Sequence, residues 1–166
     1  FRGQKFYAEV FAAYIKTLVS EGYNIEFFIE GGRSRTGKLV LPKLGLLVIL
    51  MQAVERGYCD DLVFVPTAIN YDRVLEEGAY LQELKGSRKE KENFSQLFRV
   101  HRFLKKRYGR VYVKFSQPMS VKSYMKRFNL DFETMSAKER HAMYRDFAWR
   151  IIHNINSASV VTPVAL

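Results

Sequence analysis

Phe27-Phe28-Ile29-Glu30-Gly31-Gly32-Arg33-Ser34-Arg35-Thr36-Gly37-Lys38 runs from an apolar stretch into a carboxylate, two glycines and three closely spaced cations. Asn24 to Ile29 is rich in aromatic and branched residues and predicts a short buried strand. Gly31 and Gly32 free the backbone at its end. Ligands of open α/β sheets bind at such strand ends. The planar guanidinium fork matches phosphate oxygens, so two arginines on one loop make a phosphate clamp. The stretch therefore predicts a site for an anionic, phosphorylated small molecule. On local pattern alone it is equally a solvated basic turn after a strand. A nucleotide P-loop fits worse. Gly32 to Lys38 matches G-x-x-x-x-G-K, but Leu39 stands where magnesium needs Ser or Thr, and Pro42 interrupts the helix that should follow.

The chain has 166 residues, enough for one domain with a core. Its 48% hydrophobic content excludes a disordered segment. A single cysteine, Cys59, excludes a disulfide framework and fits a reducing compartment. No Cys/His cluster has the spacing of a structural zinc site. The opening Phe1-Arg2-Gly3 is not a signal peptide, and the apolar run Val160 to Leu166 stops abruptly. Both ends have the look of an internal piece of a longer protein.

The formal net charge is +10. The excess gathers between Lys85 and Arg110, where only Glu90 and Glu92 oppose the cations. Such a patch favours polyanions: nucleic acid, an acidic membrane surface or phosphorylated ligands. A solvated helix face that only confers solubility has the same composition.

Along the chain, Tyr7, Val10, Phe11, Tyr14, Ile15 and Leu18 have the spacing of an amphipathic helix ending near Gly22. Gly45 to Val54 is almost wholly apolar. At roughly ten residues it is too short to span a bilayer, so it predicts a buried helix. Leu62 to Tyr71 predicts a second strand, interrupted by Pro66. Phe94, Leu97, Phe98, His101 and Leu104 predict a further helix with Arg99, Arg102, Lys105, Lys106 and Arg107 on its outer face. Val111 to Phe115 predicts a third strand, closed by Pro118. A last long helix, capped near Ser136, reaches about His153. The alternation predicts an α/β fold with a mixed, largely parallel sheet flanked by helices.

A second constellation is Val63-Phe64-Val65-Pro66-Thr67-Ala68-Ile69-Asn70-Tyr71-Asp72. Proline removes a ladder donor and is confined to an edge, an end or a bulge. Taken together, the two stretches resemble the glycerolipid acyltransferase family, specifically the glycerol-3-phosphate acyltransferases and their dihydroxyacetone-phosphate relatives. That family has four ordered blocks. Its third, E-G-x-R-S-R-x-G-K after a strand, corresponds to Glu30 to Lys38. Its fourth, V-P-x-x-I-x-Y-[DE], corresponds to Val65, Pro66, Ile69, Tyr71 and Asp72. The resemblance covers most of the chain and is strongest from residue 24 to 125. Phe1-Arg2-Gly3 looks like the tail of the second block.

The resemblance implies that Arg33 binds the acceptor phosphate with Arg35 as its partner. Gly31, Gly32, Ser34 and Lys38 complete the binding loop. Glu30 is the candidate catalytic-site residue, shaping the loop and orienting a cation or the acceptor hydroxyls. Pro66 falls on the acyl-donor side. The implied acceptor is glycerol 3-phosphate, with dihydroxyacetone phosphate as the alternative. The donor is acyl-CoA or acyl carrier protein, with no metal or other cofactor. The implied setting is the cytoplasmic face of an anionic membrane. Nucleic acid is a weaker alternative, since the chain has no known reader motif.

The family's first block, H-x-x-x-x-D, supplies the general base and the carboxylate that orients it. It belongs ahead of the second block, so it is expected upstream of Phe1 in a 1–166 segment that forms the C-terminal part of one catalytic domain. His141 and Asp146 fit the letters in the wrong order. On a helix, positions five apart diverge by about 140°, so His141 is expected to be a surface residue without a catalytic role. Trp149, with Phe147 and Ile151, is expected in the core, and Cys59 has no nucleophile signature.

Overall fold

The computed structural model describes residues 4–32, 39–71 and 110–160. The predicted helix around Phe94 to Leu104 lies outside them, as do the basic positions on its outer face. The chain divides into two compact units, Phe1–Thr67 with Phe115–Ala158, and Ala68–Lys114 with Ser159–Leu166.

Among the described residues the first unit holds four helices and a small sheet. Helix α1 spans Lys5–Ser20 and α2 spans Leu44–Glu55. Strand β1 is Val63–Phe64; β4, Met119–Ser120, pairs with it antiparallel, Val63 facing Ser120. Helix α3 spans Val121–Arg127 and α4 spans Ala137–Ala158. The second unit is built on β2, Thr67–Tyr71, and β3, Val111–Phe115, whose first and last residues respectively fall at the unit boundary. Asn70 anchors the chain after α4 there, its side-chain carbonyl accepting from the Val160 amide at 3.0 Å.

The core of the first unit follows from sequence period. Helix α4 buries Met143, Tyr144, Phe147, Ala148, Ile151 and Ile152, a stripe recurring every three to four residues. Against it pack Leu47 and Met51 of α2, Val121 and Met125 of α3, and Ile29. Phe147 is fully buried between Phe64 and Tyr124, with ring centroids at 5.3 and 5.0 Å in edge-to-face geometry. A second cluster joins Ile15 and Val19 of α1 to Leu50 and Ala53 of α2. Hence α2 is apolar nearly all round: it is packed on two sides. Glu55 ties it to α4 through an ion pair with Arg140, and its other oxygen accepts from the Tyr144 hydroxyl at 3.3 Å.

The structure departs from the sequence reading in four places. Asn24 to Ile29 makes no ladder among the described residues, although its side chains alternate as a strand's do: Ile25, Phe27 and Ile29 point inward and Asn24, Glu26 and Phe28 outward. A largely parallel sheet is not seen among the described residues either. The described strands make two two-stranded sheets, and β1 with β4 is antiparallel. Pro66, which has no amide hydrogen, separates β1 from β2, so no long strand is available to build on. The stripe predicted for α1 splits: Phe11, Ile15 and Leu18 face the core, whereas Val10 and Tyr14 are exposed. Trp149 is also exposed. At about 100° per residue, position 149 lies well off the inward stripe that passes through 147, 148, 151 and 152.

Candidate active site

The described part of the Glu30–Lys38 loop is its neck. Ile29 is buried and fixes the chain to the core of the first unit. Its carbonyl accepts from the Lys43 amide at 2.7 Å, and the Gly31 amide donates to the Phe28 carbonyl at 2.9 Å. One oxygen of the Glu30 carboxylate accepts from the Val40 amide at 2.8 Å. Two bonds therefore join residues 29–30 to 40–43, and the segment between them leaves and returns at one place. Lys43 is also the residue before α2, so the loop's exit is held by a helix packed on both sides. Residues 39–43 are not helical and α2 begins only at Leu44, whereas a P-loop needs its helix to follow the loop lysine directly.

Gly31 is needed at the neck for two reasons. Its φ is +62°, in the left-handed region. A Cβ there would also lie 2.7 Å from Cγ and 3.2 Å from Cβ of Lys43. Gly32 is exposed, with nothing within 4 Å of where a Cβ would stand. Arg33, Ser34, Arg35 and Lys38 lie outside the described residues. The structure thus places Glu30, Gly31 and Gly32 at one neck.

Pro66 is buried between β1 and β2, and its carbonyl accepts from the Ser116 amide at 2.8 Å. Its place at a strand break is where proline's missing donor does least harm. Among the described residues no hydrogen bond joins it to the neck.

Two partners of the neck escaped the sequence reading. Val40 contributes only its amide, so no side-chain pattern marks it. Lys43 contributes its amide and the hydrocarbon that packs over Gly31. Asp61 was missed as well. Its carboxylate accepts from the Ser120 hydroxyl at 2.6 Å, the Leu62 amide at 2.8 Å and the Lys122 amide at 3.0 Å, fastening β4 and the start of α3 beside β1.

No hydrogen bond joins His141 to Asp146 among the described residues. His141 is exposed on α4, and Asp146 accepts from the Tyr124 hydroxyl and from Arg150 Nε, each at 2.6 Å. Burial alone would raise the Asp146 carboxyl, but these two donors outweigh it and hold it below the usual carboxylate range. Burial, and then the nearby Asp61 and Asp60, push the Cys59 thiol above its ordinary value, the reverse of an activated nucleophile.

Comparison with known proteins bears on the whole chain. Residues 2–70 match the family described as Acyltransferase, and residues 80–166 match the Glycerol-3-phosphate acyltransferase C-terminal region. A glycerol-3-phosphate acyltransferase of Pseudomonas fluorescens is 38% identical over all of this chain and 21% of its own length. One from Ectopseudomonas mendocina is 37% identical with the same coverage. One from Actinobacillus pleuropneumoniae is 36% identical over 97% of this chain and 20% of its own length. The chain therefore spans about a fifth of the length of these curated relatives.

Proposed function

The chain belongs to the glycerol-3-phosphate acyltransferase family, and from that premise we propose that it forms the acceptor-phosphate side of the active site of a glycerol-3-phosphate 1-O-acyltransferase. The whole enzyme transfers an acyl chain from acyl-CoA or acyl carrier protein to the 1-hydroxyl, in phospholipid synthesis. A general base outside this chain removes the hydroxyl proton, and the resulting oxygen attacks the thioester carbonyl. The tetrahedral intermediate collapses with loss of the thiolate, which takes up a proton. The contribution of these residues is to bind the phosphate and aim the hydroxyl. No metal enters this scheme.

The observation that carries the reading is the closed neck. Arg33, Ser34, Arg35 and Lys38 lie between two points that the Glu30–Val40 and Ile29–Lys43 bonds hold together. A loop with fixed ends loses less conformational freedom when it closes on a ligand. In this reading Glu30 positions the loop rather than the proton. Association with an anionic bilayer on its cytoplasmic face belongs to the same reading and is supported by the net charge of +10. Among the described residues no helix is long and apolar enough to cross a membrane.

Arg33→Ala in the full-length enzyme is the test. Loss of a charge-assisted phosphate contact is expected to raise KM for glycerol 3-phosphate roughly 10- to 150-fold, with a smaller change in kcat. Arg33→Lys recovers only part, because an ammonium cannot make the fork. An unchanged acceptor KM in both variants rejects the assignment.

A further inference from the structure

Lys43 lies past the end of the Glu30–Lys38 motif, yet both its backbone and its side chain are engaged at the neck. Its amide donates to the Ile29 carbonyl at 2.7 Å, which fixes its backbone where the loop leaves the core. Its side chain turns back over Gly31. A Cβ built on that glycine would meet Cγ of Lys43 at 2.7 Å, Cβ at 3.2 Å and Cδ at 3.9 Å. The stem therefore lies along bare glycine backbone, and the ammonium is two bonds beyond Cδ. Lysine stems lie along a surface while the charged head reaches outward, and here that surface is the start of the loop itself.

The charge carried there meets no carboxylate. Glu30 is the acid at the neck, and its carboxylate accepts from the Val40 amide at 2.8 Å. No ion pair joins it to Lys43 among the described residues, where Glu55 pairs with Arg140 and Asp146 with Arg150. The first turn of α2 has no acidic residue either, and Lys43 is the single charge from Leu39 to Gly45. Holding a lysine stem in place costs conformational freedom. Without an anion at its end, the ammonium offsets none of that cost.

We propose that Lys43 is a further acceptor-binding residue, its ammonium meeting the phosphate that the loop holds. The inference rests on the acceptor-phosphate reading of the loop and extends it to a residue beyond the motif. Guanidinium forks fix the plane in which phosphate oxygens lie, whereas an ammonium is a point charge with three rotatable donors and demands no plane. Lys43 thus adds charge at the neck without competing for the geometry of an arginine clamp. The assignment also gives Gly31 a use beyond its φ of +62°. Any side chain there would displace the Lys43 stem, and the charge at its end would move with it.

Steady-state kinetics of the full-length enzyme with Lys43→Met, Lys43→Arg and Arg33→Ala make the test. Methionine keeps an unbranched stem over Gly31 and removes the charge, so it separates charge from packing. Lys43→Met should raise KM for glycerol 3-phosphate about tenfold, the low end for losing a hydrogen bond to a charged group. Its kcat, its acyl-donor KM and its Tm should stay near those of the parent, the pattern of lost ground-state binding. Lys43→Arg should restore most of the loss, because the charge returns. An acceptor KM unchanged in Lys43→Met, one raised equally in Lys43→Arg, or a loss confined to kcat would overturn the proposal. The two assignments fail separately. A raised acceptor KM in Arg33→Ala with none in Lys43→Met removes Lys43 alone. The converse result would keep Lys43 and take the phosphate away from Arg33.

Discussion

Glu30 decides between a positioning and a charge-bearing role, because the two answer differently to one isosteric change. Its carboxylate accepts from the Val40 amide. Glutamine keeps an oxygen acceptor of the same reach and loses the charge. If the bond to Val40 is the function, Glu30→Gln keeps the acceptor KM within a few-fold while Glu30→Ala raises it. The loss of a hydrogen bond to a charged group is about 1.5–3 kcal/mol, or roughly 10- to 150-fold. Steady-state kinetics of both variants make the test, and equal damage from both would give Glu30 a charge role instead. Gly31 is the companion case. Gly31→Ala adds a Cβ at a φ of +62° and 2.7 Å from Cγ of Lys43. A non-glycine residue in the left-handed region costs about 1–2 kcal/mol, and Lys43 must also turn aside. Impaired acceptor binding with the Tm lowered by a few degrees is the expected outcome; a neutral variant would mean that the neck is softer than its bonds suggest.

Among the elements, α4 and α3 are held by different kinds of cap, and only one was legible. Ser136-Ala137-Lys138-Glu139 is a reciprocal box. The Ser136 amide and hydroxyl donate to the Glu139 carboxylate at 2.8 and 2.7 Å, and the Glu139 amide donates back to the hydroxyl at 3.3 Å. The Ser136 hydroxyl, then its amide, hold the Glu139 carboxyl below its ordinary value. A depressed folded value means a contribution present above the unfolded pKa of about 4.3 and lost as pH falls through the folded value. Ser136→Ala should therefore cost about 1 kcal/mol at neutral pH, with the gap to the parent narrowing in denaturant melts below about pH 4. A pH-independent gap would leave Glu139 out of the cap. The α3 cap is long-range: Ser120 accepts from the Ser123 amide, while Asp61, far away in sequence, fixes Ser120 and Lys122. Asp61→Ala strips three donors of their acceptor and should destabilise by about 1.5–3 kcal/mol, more than Ser136→Ala.

This contrast explains what could be read from the chain. Helix α1 was legible from its period, α2 from its apolar run and α4 from its cap. Strand β4 and helix α3 are too short for any period, and the partner that organises them is remote. Asn24 to Ile29 shows the other limit. Its aromatic and branched composition predicts a buried strand, but only alternate side chains are turned inward and Phe28 is exposed, and composition does not say whether a hydrogen-bonding neighbour is present. The glycines and Glu30 were legible because their chemistry is local, whereas Val40 acts through a backbone amide that every non-proline residue has.

For the molecule as a whole, the family match and the internal histidines pull in opposite directions. The blocks at Glu30 and Pro66 are those of an acyltransferase, yet the chain's sole H-x-x-x-x-D is His141 to Asp146. The structure gives that pair separate work: Asp146 serves Tyr124 and Arg150, and His141 faces solvent. Turnover needs a base aimed at the acceptor hydroxyl, and no H-x-x-x-x-D stands ahead of Glu30 in these 166 residues. The isolated segment should accordingly be inactive with glycerol 3-phosphate and acyl-CoA. Inactivity alone proves little, since a misfolded segment would also be inactive, so the stronger measurement is His141→Ala in the full-length enzyme. An exposed imidazole on the outer side of α4 takes no proton from the acceptor, and kcat should stay near that of the parent across the pH profile. Loss of a general base instead lowers the rate by about a hundred- to ten-thousandfold. A fall of that size, with the fold intact by circular dichroism, would make His141 the catalyst and would require the acceptor phosphate to be bound beside α4 rather than at the loop that Glu30 closes.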